Sequence, residues 1–376
     1  MVTFFFLNFF SDCMFSDYLS VNAWETTRKT YRQVNGATHN TRRGMAVAEK
    51  GRALPAKGDG SLWRHLMMGV WLGHLHVAVA VFALAVYKLP NPLAVAVVAT
   101  YVTATLAPNR PPYPRWGIAI ARAITNAAMG YFPCTMEWED EPGYLAAAAR
   151  GRPHVLGLEP HSVLPLSIVA FGKYFFYTPT TPECVRNTRA LATDTIFVIP
   201  FMRQLWSWLG MDPISKRHMR RLLDAGRTVL IIPGGVAECL EMRHGVETIY
   251  LRRRFGFVKL AIQTGAGLIP AFTFGQRDTY NYWRLGPPLC PPSVAAAIAR
   301  VIKMAPLFFW GKWGTFLPRQ CPMHTVIGKA LEVSKNENPT NEEVEAKLKE
   351  FIDAMEGIFE RHKERHGYGD TRLVVL

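Results

Sequence analysis

Apolar residues are distributed in two different ways along this chain. From Leu66 to Tyr87 almost every residue is apolar, and a second, shorter apolar stretch runs from Leu93 to Leu106. Roughly twenty consecutive apolar residues are enough for a helix to span a bilayer, whereas a shorter stretch is not a comfortable span. We therefore predict a hydrophobic helical hairpin over residues 62–108 that either spans a membrane or enters and leaves it on the same side.

Basic residues flank this predicted hairpin on both sides. Arg43 and Arg64 precede its apolar core, Arg110 and Arg115 follow it, and the loop inside it contains only Lys88. Lysine and arginine are enriched in the cytosolic segments next to membrane spans. This distribution predicts that both termini lie in the cytosol.

Residues 1–61 lack the continuous apolar pattern of the hairpin. The chain begins with an aromatic run, but no basic region precedes that run and Asp12 and Asp17 follow it, which disfavours a cleavable secretory signal. From Glu25 to Ser61 the sequence is polar, basic and contains several glycines. We expect a flexible basic tail over residues 1–61.

From residue 109 onward, short apolar runs alternate with helical patterns. The runs with the length and composition of buried strands are HVLGL before Glu159, TIFVIP (Thr195–Pro200), TVLIIP (Thr228–Pro233), GLIPAFTF (Gly267–Phe274) and HTVIG (His324–Gly328). Strands that alternate with helices are typical of an α/β fold. The sequence thus predicts, over residues 109–376, a mainly parallel sheet with flanking helices.

Two helices have recognisable ends. Ser215 is a predicted N-cap and Gly226 a predicted stop for a helix between two of the strand runs. Near the C-terminus, Thr340 and Glu343 have the spacing of a capping box. The apolar stripe that follows consists of Val344, Leu348, Phe351, Ile352, Met355, Ile358 and Phe359. We expect a long amphipathic C-terminal helix that packs on the domain.

Composition narrows the range of partners. Apolar residues make up 49% of the chain and charged residues 19%, which fits a globular unit with a limited membrane segment. The 43 Lys and Arg outnumber the 29 Asp and Glu, for a formal charge of +14. Anionic lipid headgroups or phosphorylated substrates suit such a surface, whereas no nucleic-acid-binding signature is present. The six cysteines lack CxxC spacing, so we expect reduced thiols and no metal site.

Two predicted strand ends carry residues that are suited to catalysis. One is Glu159-Pro160-His161-Ser162, and the other is Pro233-Gly234-Gly235 with Glu238 shortly after it. Parallel strands place their carboxyl ends, and their ligands, at one edge of a sheet. Histidine titrates near neutral pH, and glycine lets backbone N–H groups approach a substrate closely. This set predicts acyl transfer, with His161 as the base, Glu238 as its hydrogen-bonding partner, and Gly234 and Gly235 as oxyanion donors.

Two further features leave alternatives open. Ser162 lies next to His161, but the GxSxG pattern is absent and sequence neighbours rarely align as nucleophile and base, so a serine nucleophile is disfavoured. In LRRRFGFVKL, the residues Arg252, Arg254 and Lys259 suit a phosphate-bearing acyl carrier. A basic face exposed to solvent explains the same run equally simply.

Several long blocks of the sequence resemble one family. They are GLEPHSVLP, PFMRQLWSWLGM, IIPGGVAE, LRRRFGFVKLAIQTGAGLIPAFTFG and FERHKERHGYGD. These blocks are similar to the type-2 acyl-CoA:diacylglycerol acyltransferases, most of all to plant and algal members, from about Arg115 to the C-terminus. The short YFP motif of that family is present as Tyr131-Phe132-Pro133.

The resemblance implies an acyltransferase-like domain that makes triacylglycerol from acyl-CoA and diacylglycerol. It implies a membrane-embedded protein of the endoplasmic reticulum and lipid droplets, with His161 as the catalytic histidine and Glu238 as its partner. Arg252 and Arg254, with Gly256 and Phe257, match the RxRxGF block of that family. No cofactor is expected, because acyl-CoA is a co-substrate.

The sequence departs from the family pattern at one place and leaves other questions open. Animal members have His-Pro-His-Gly where this chain has Glu159-Pro160-His161-Ser162, a form shared by plant members. Related glycerolipid acyltransferases place an aspartate five residues after the histidine, where this chain has Leu166. A monoacylglycerol or long-chain alcohol acceptor, a non-catalytic membrane lipid-binding protein, a homo-oligomer and a plastid location all remain open alternatives.

Overall fold

The computed structural model describes residues 60–107, 109, 111–170, 172, 188–197, 199, 201–285, 290–302 and 305–376. All of these residues belong to the second of two units into which contacts divide the chain, Ala53–Leu376. The tail predicted over residues 1–61 lies outside the described residues except for its last two.

Two helices open the described chain. They are α1 (Leu62–Tyr87) and α2 (Pro92–Leu106), and the Tyr101 hydroxyl of α2 donates a hydrogen bond to the Ala78 carbonyl of α1 at 2.7 Å. Within the described residues no single helix has both the length and the apolar character of a membrane span. The halves of α1, Leu62–His74 and His76–Tyr87, meet at a 49° bend and satisfy both criteria only as a pair.

Strands form one large sheet and two small ones. The strands are β1 (Cys134–Trp138), β2 (His154–Glu159), β3 (Arg189–Ala192), β4 (Met211–Pro213), β5 (Val229–Ile231), β6 (Val246–Ile249), β7 (Gly267–Phe274), β8 (Asn281–Arg284), β9 (Leu307–Trp310), β10 (Met323–Ile327) and β11 (Arg372–Val375). The large sheet has the order β1-β10-β7-β2-β5-β3-β4, and β11-β6 and β8-β9 form separate pairs. Only β10 and β7 are antiparallel neighbours in the large sheet, so the predicted mainly parallel sheet is confirmed.

The remaining helices surround this sheet. They are α3 (Arg115–Tyr131), α4 (Glu141–Ala149), α5 (Leu166–Ala170), α6 (Met202–Trp208), α7 (Lys216–Asp224), α8 (Gly235–Glu241), α9 (Phe255–Thr264), α10 (Pro292–Ile302) and α11 (Asn341–His362). The predicted caps are confirmed. The Ser215 side chain accepts a hydrogen bond from the His218 N–H at the start of α7, and Thr340 and Glu343 form a capping box at the start of α11.

The core lies on both faces of the large sheet. Successive side chains of a strand point to opposite faces, and accordingly Leu156 of β2 packs in one cluster with Trp71 of α1 and Tyr131 of α3. Val155 packs in the other cluster with Phe351 of α11, and the predicted apolar stripe of that helix is buried there. The sheet is therefore held between helices, and its carboxyl-end edge is left for function.

One predicted strand is wrong. In the described part of the TIFVIP run, Thr195 to Phe197 belong to a 3₁₀ turn, Asp194–Phe197. The sheet position beside β5 is occupied by the preceding segment, Arg189–Ala192, which pairs with β5 on one side and β4 on the other. A short apolar run alone does not distinguish a strand from a buried turn.

Candidate active site

The carboxyl ends of three parallel strands meet at one edge of the sheet. Strand β2 pairs in parallel with both β5 and β7. Its last residue is Glu159, whereas Gly234 follows β5 and Gln276 follows β7. The two chain segments predicted to form the site are therefore brought together, and Gln276 is added from a third.

Two buried carboxyl groups lie at the centre of this edge. Glu159 and Glu238 are both 0% exposed, and Glu159 Oε1 accepts a hydrogen bond from the Gly234 N–H at 2.7 Å. Burial, and then the adjacent Glu238, raises the pKa of Glu159, and a hydrogen bond joins the two side chains. Oε2 of each acid has no other partner. One shared proton satisfies both, with Glu159 as the neutral donor and Glu238 as the carboxylate.

Glu238 binds the histidine loop through its backbone. Glu238 Oε1 accepts the N–H groups of His161 at 2.5 Å and Ser162 at 3.1 Å. The predicted hydrogen bond between this carboxylate and the imidazole is therefore wrong, because the carboxylate holds the backbone of the loop instead. The two side chains still interact: burial raises the pKa of Glu238, and the charge of His161 opposes that rise.

The hydrogen bonds of the His161 ring define its tautomer. Nδ1 lies 2.9 Å from the Ser162 carbonyl oxygen and 3.1 Å from Cys239 Sγ. A carbonyl oxygen can only accept, so Nδ1 carries the proton and Nε2 carries the basic lone pair. The half-buried imidazole is thus prepared to take a proton at Nε2.

Cys239 was not recognised from the sequence. Its Sγ donates to the Ser162 carbonyl at 3.2 Å, beside the ring of His161. Burial raises the pKa of this thiol well above its usual value, which keeps it protonated. Cys239 therefore helps to orient the loop, and it is not an activated nucleophile.

The two glycines have different roles. The Gly234 N–H is engaged by Glu159, so the prediction that it binds an oxyanion is wrong, and Gly235 keeps that candidate role. A Cβ at Gly234 would lie 2.2 Å from Glu238 Oε2, which explains why only glycine fits. Gly235 has φ +54°, a backbone conformation that favours glycine.

Gln276 was also missed, although its position gives a signal for it. Its Nε2 donates to the Pro160 carbonyl at 2.5 Å, and its Oε1 accepts the Ser167 N–H at 2.9 Å. The residue is 0% exposed. Gln276 follows a predicted buried strand at the same edge, so the rule that identified His161 could have identified it as well.

The three residues predicted to bind acyl-CoA do not converge. Arg254 donates to the Gly234 carbonyl at 2.6 Å and stacks on the Tyr250 ring, which makes it a support of the glycine turn. Arg252 donates to the Val375 carbonyl at 3.0 Å. Lys259 lines a separate, mostly apolar cavity of about 260 Å³. Both arginines are engaged by the protein's own carbonyl groups.

One known protein family matches most of this chain. The profile of the family described as "Diacylglycerol acyltransferase" matches residues 91–376. The chain belongs to the diacylglycerol acyltransferase family. It is therefore an acyltransferase, as the sequence predicted, while the closer affinity with plant and algal members stays a prediction.

Individual relatives share much of the length of this acyltransferase. It is 37% identical over 236 residues to "Diacylglycerol O-acyltransferase 2-like protein 6" of Mus musculus, and the aligned region covers 56% of this chain and 68% of that protein. It is 29% identical over 271 residues to "Diacylglycerol O-acyltransferase 1" of Schizosaccharomyces pombe, covering 68% and 71%. Over 238 residues it is 29% identical to "Acyl-CoA wax alcohol acyltransferase 2" of Mus musculus, covering 60% and 70%.

The YFP motif of this acyltransferase is structural. Tyr131 and Phe132 are 0% exposed, and the Tyr131 hydroxyl donates to the Pro318 carbonyl at 2.6 Å. The Pro133 carbonyl accepts the Met323 N–H at 3.2 Å, at the start of β10. The motif therefore connects α3 to the sheet rather than contributing a reactive group.

Proposed function

We propose that this acyltransferase makes triacylglycerol by transferring a fatty acyl group from acyl-CoA to diacylglycerol, with Nε2 of His161 as the general base. The observation that carries the proposal is the hydrogen bond of Nδ1 to the Ser162 carbonyl, at 2.9 Å. It leaves Nε2 as the proton acceptor beside the buried carboxyl groups of Glu159 and Glu238. Family membership supports the two substrates.

The reaction needs one proton to move twice. Nε2 takes the proton of the free glycerol hydroxyl while its oxygen attacks the thioester carbon. The new C–O bond forms, the C–S bond breaks, and the imidazolium returns the proton to the departing thiolate. The products are triacylglycerol and free CoA, with no acyl-enzyme. A positioned base of this kind contributes about 10²- to 10⁴-fold in rate.

The neighbouring groups stabilise the charges that develop in this step. Glu238 lies beside the histidine loop, where its carboxylate stabilises the positive charge that develops on His161 during proton transfer. The backbone N–H of Gly235 is the candidate donor to the oxyanion, because that of Gly234 is engaged by Glu159. Glu159, in its neutral form, fixes the turn that presents Gly235.

A long-chain alcohol is a second candidate acceptor. The similarity to "Acyl-CoA wax alcohol acyltransferase 2" supports it, since the same proton transfer serves any primary hydroxyl group. Monoacylglycerol remains a third candidate for the same reason. These acceptors differ in their size and in the number of their acyl chains, not in the reacting group.

We place the enzyme at the endoplasmic reticulum membrane, with both termini cytosolic and with access to lipid droplets. Large apolar side chains of α1 and α2 support a membrane-embedded hairpin: Val77 is 63% exposed, Leu84 59%, Leu93 74% and Leu106 78%. Large exposed apolar side chains concentrated on two helices are typical of membrane contact. Diacylglycerol remains in the bilayer, so an active site near the interface meets both substrates.

Exposed aromatic residues extend this apolar surface. Phe308 is 65% exposed, Trp310 39% and Trp313 75%. The Phe316 ring stacks on His76 of α1 with centroids 5.3 Å apart, which joins this segment to the first helix. Tryptophan is enriched at membrane interfaces, so we assign residues 308–316 to the route by which lipid approaches.

An assay with several acceptors tests the function. Membranes containing the wild-type chain are given radiolabelled acyl-CoA with diacylglycerol, monoacylglycerol or a long-chain alcohol, and the neutral lipids are separated. We expect triacylglycerol as the main product, and a loss of about 100-fold or more for His161→Ala at equal protein level. His218→Ala, which changes a partly exposed histidine 3.4 Å from Asp212, is the control and keeps its activity. Undiminished transfer by His161→Ala would refute the base assignment.

A further inference from the structure

A second cavity opens beside the catalytic loop, on the side of Ser162 and Glu238. Its volume is about 210 Å³, and its wall is formed mainly by residues 242–248, 277–278 and 280–282 together with Arg319. Because Ser162 follows His161 directly, a ligand in this cavity reaches the loop that carries the proposed base. Neither Arg252 nor Arg254 lines it.

Three polar groups in the cavity wall make no hydrogen bond within the described part of the protein. They are Thr248 Oγ1, Tyr282 Oη and Arg277 Nη1. Thr248 is only 4% exposed. Buried polar atoms are nearly always hydrogen-bonded in folded proteins. Two hydroxyl groups and a guanidinium donor suit a ligand with amide or carbonyl groups, and they do not suit a hydrocarbon chain.

The charge of the cavity favours an anion. Arg243 is exposed, and Arg319 uses its Nε to donate to the Asp278 carbonyl at 2.9 Å. Neither guanidinium forms an ion pair with a described residue. Arg277 pairs with Glu247 and Asp278, at 3.6 Å each, so the positive charge that a ligand meets is mainly that of Arg243 and Arg319. Guanidinium groups bind phosphate oxygens with good geometry.

We propose that this cavity binds the phosphopantetheine portion of acyl-CoA. The pantetheine amides meet Thr248 and Tyr282, the phosphates meet Arg243 and Arg319, and the thioester end extends past Ser162 toward His161. The inference rests on the proposed function and names a site for one of its substrates. Diacylglycerol has ester carbonyl groups but no phosphate, so Arg243 and Arg319 are the groups of the wall that distinguish the two substrates.

Steady-state kinetics of the purified full-length chain test this assignment. For Arg243→Gln and Arg319→Gln we expect the KM for acyl-CoA to rise about tenfold each, because each change removes one charge-assisted contact to phosphate. We expect kcat to stay within about twofold and the KM for diacylglycerol to stay unchanged. Arg253→Gln makes the same charge change on an exposed arginine outside the cavity, and it should alter neither constant.

A binding experiment separates this inference from the catalytic one. The His161→Gln variant should bind CoA as tightly as the wild type, and adding Arg243→Gln should weaken binding about tenfold. Pantetheine, which has no phosphate, should bind both proteins equally. If His161→Gln stayed active, the base assignment would fail while the cavity assignment stood.

Two outcomes contradict the cavity assignment. An unchanged KM for acyl-CoA in both arginine variants overturns it outright. A raised KM for diacylglycerol with an unchanged KM for acyl-CoA overturns it in favour of the acceptor.

Discussion

Two clusters of histidines and carboxylates lie along the sheet, and they are built differently. In the first, Glu159 and Glu238 bind backbone N–H groups, and the His161 ring bonds only a carbonyl and a thiol. In the second, between β1 and α11, His324 and His362 each approach a glutamate at 3.4 Å, and the His324 and His366 rings stack with centroids 4.1 Å apart.

The difference shows what separates a reactive histidine from a structural one. The glutamates of the second cluster, Glu137 and Glu139, also pair with Arg365 and Arg361, so they join the edge strand to the C-terminal helix. Burial, and then Arg365, lowers the pKa of His324 to about 4, which keeps that ring neutral and inert. In the first cluster the carboxyl groups fix the loop, and the His161 ring is only half-buried, whereas His324 is 9% exposed. Proximity of histidine to carboxylate therefore does not identify a catalytic pair.

The largest difference between the two clusters is expected when a glutamate is replaced. Glu238→Gln keeps an acceptor for the two backbone N–H groups but removes the negative charge beside His161. We expect kcat to fall about 10- to 100-fold, since the positive charge that develops on His161 during proton transfer loses a favourable neighbour. Glu139→Gln, the matched change in the second cluster, should leave kcat unaltered. Equal effects of the two substitutions would abolish the distinction.

A smaller effect is expected at the glycine turn. Arg254→Met removes the hydrogen bond to the Gly234 carbonyl but keeps the aliphatic stem. We expect kcat to fall about tenfold because the turn that carries Gly235 loosens, with the KM for acyl-CoA unchanged. Arg252→Met, which loses only a contact to the C-terminal strand, should spare kcat. A rise in the KM for acyl-CoA in the Arg254 variant would restore its role in substrate binding.

In the second cluster the expected effect is on stability alone. The pKa of His324 is about 4 in the folded protein and 6.5 in the unfolded chain, so unfolding takes up a proton below about pH 6.5 and the wild type loses stability as the pH falls. His324→Gln removes this uptake. Between pH 7 and pH 5 the free energy of unfolding of this variant should fall by about 2 kcal/mol less than that of the wild type. Parallel melting curves for both proteins across that range would contradict the account.

The sequence predicted those elements whose pattern is local. Buried parallel strands read as continuous apolar runs, so β2, β5 and β7 were predictable, and the capping box at Thr340 located α11. The TIFVIP run failed because the neighbouring segment, Arg189–Ala192, filled the sheet position. Alternation and caps are properties of a few adjacent residues, whereas the choice between two candidate strands depends on the whole sheet.

The site was predictable in its residues but not in its bonds. His161, Glu238 and the glycines were identified because they follow strands that end at one edge. The carboxyl–carboxyl contact between Glu159 and Glu238 joins distant segments and requires a shared proton, which no spacing rule encodes. The basic run that contains Arg252 and Arg254 is visible in the sequence, but its binding partners are not. Both side chains bond carbonyl groups of the protein itself.

The proposed mechanism requires His161 to act through Nε2 while Nδ1 is held by the Ser162 carbonyl. The most direct test replaces His161 with histidine methylated at one ring nitrogen or the other and compares triacylglycerol formation at equal protein level. Methylation of Nε2 should abolish transfer, whereas methylation of Nδ1 should leave a basic Nε2 and a measurable part of the activity. Full activity with a methylated Nε2, or loss only with a methylated Nδ1, would contradict this account.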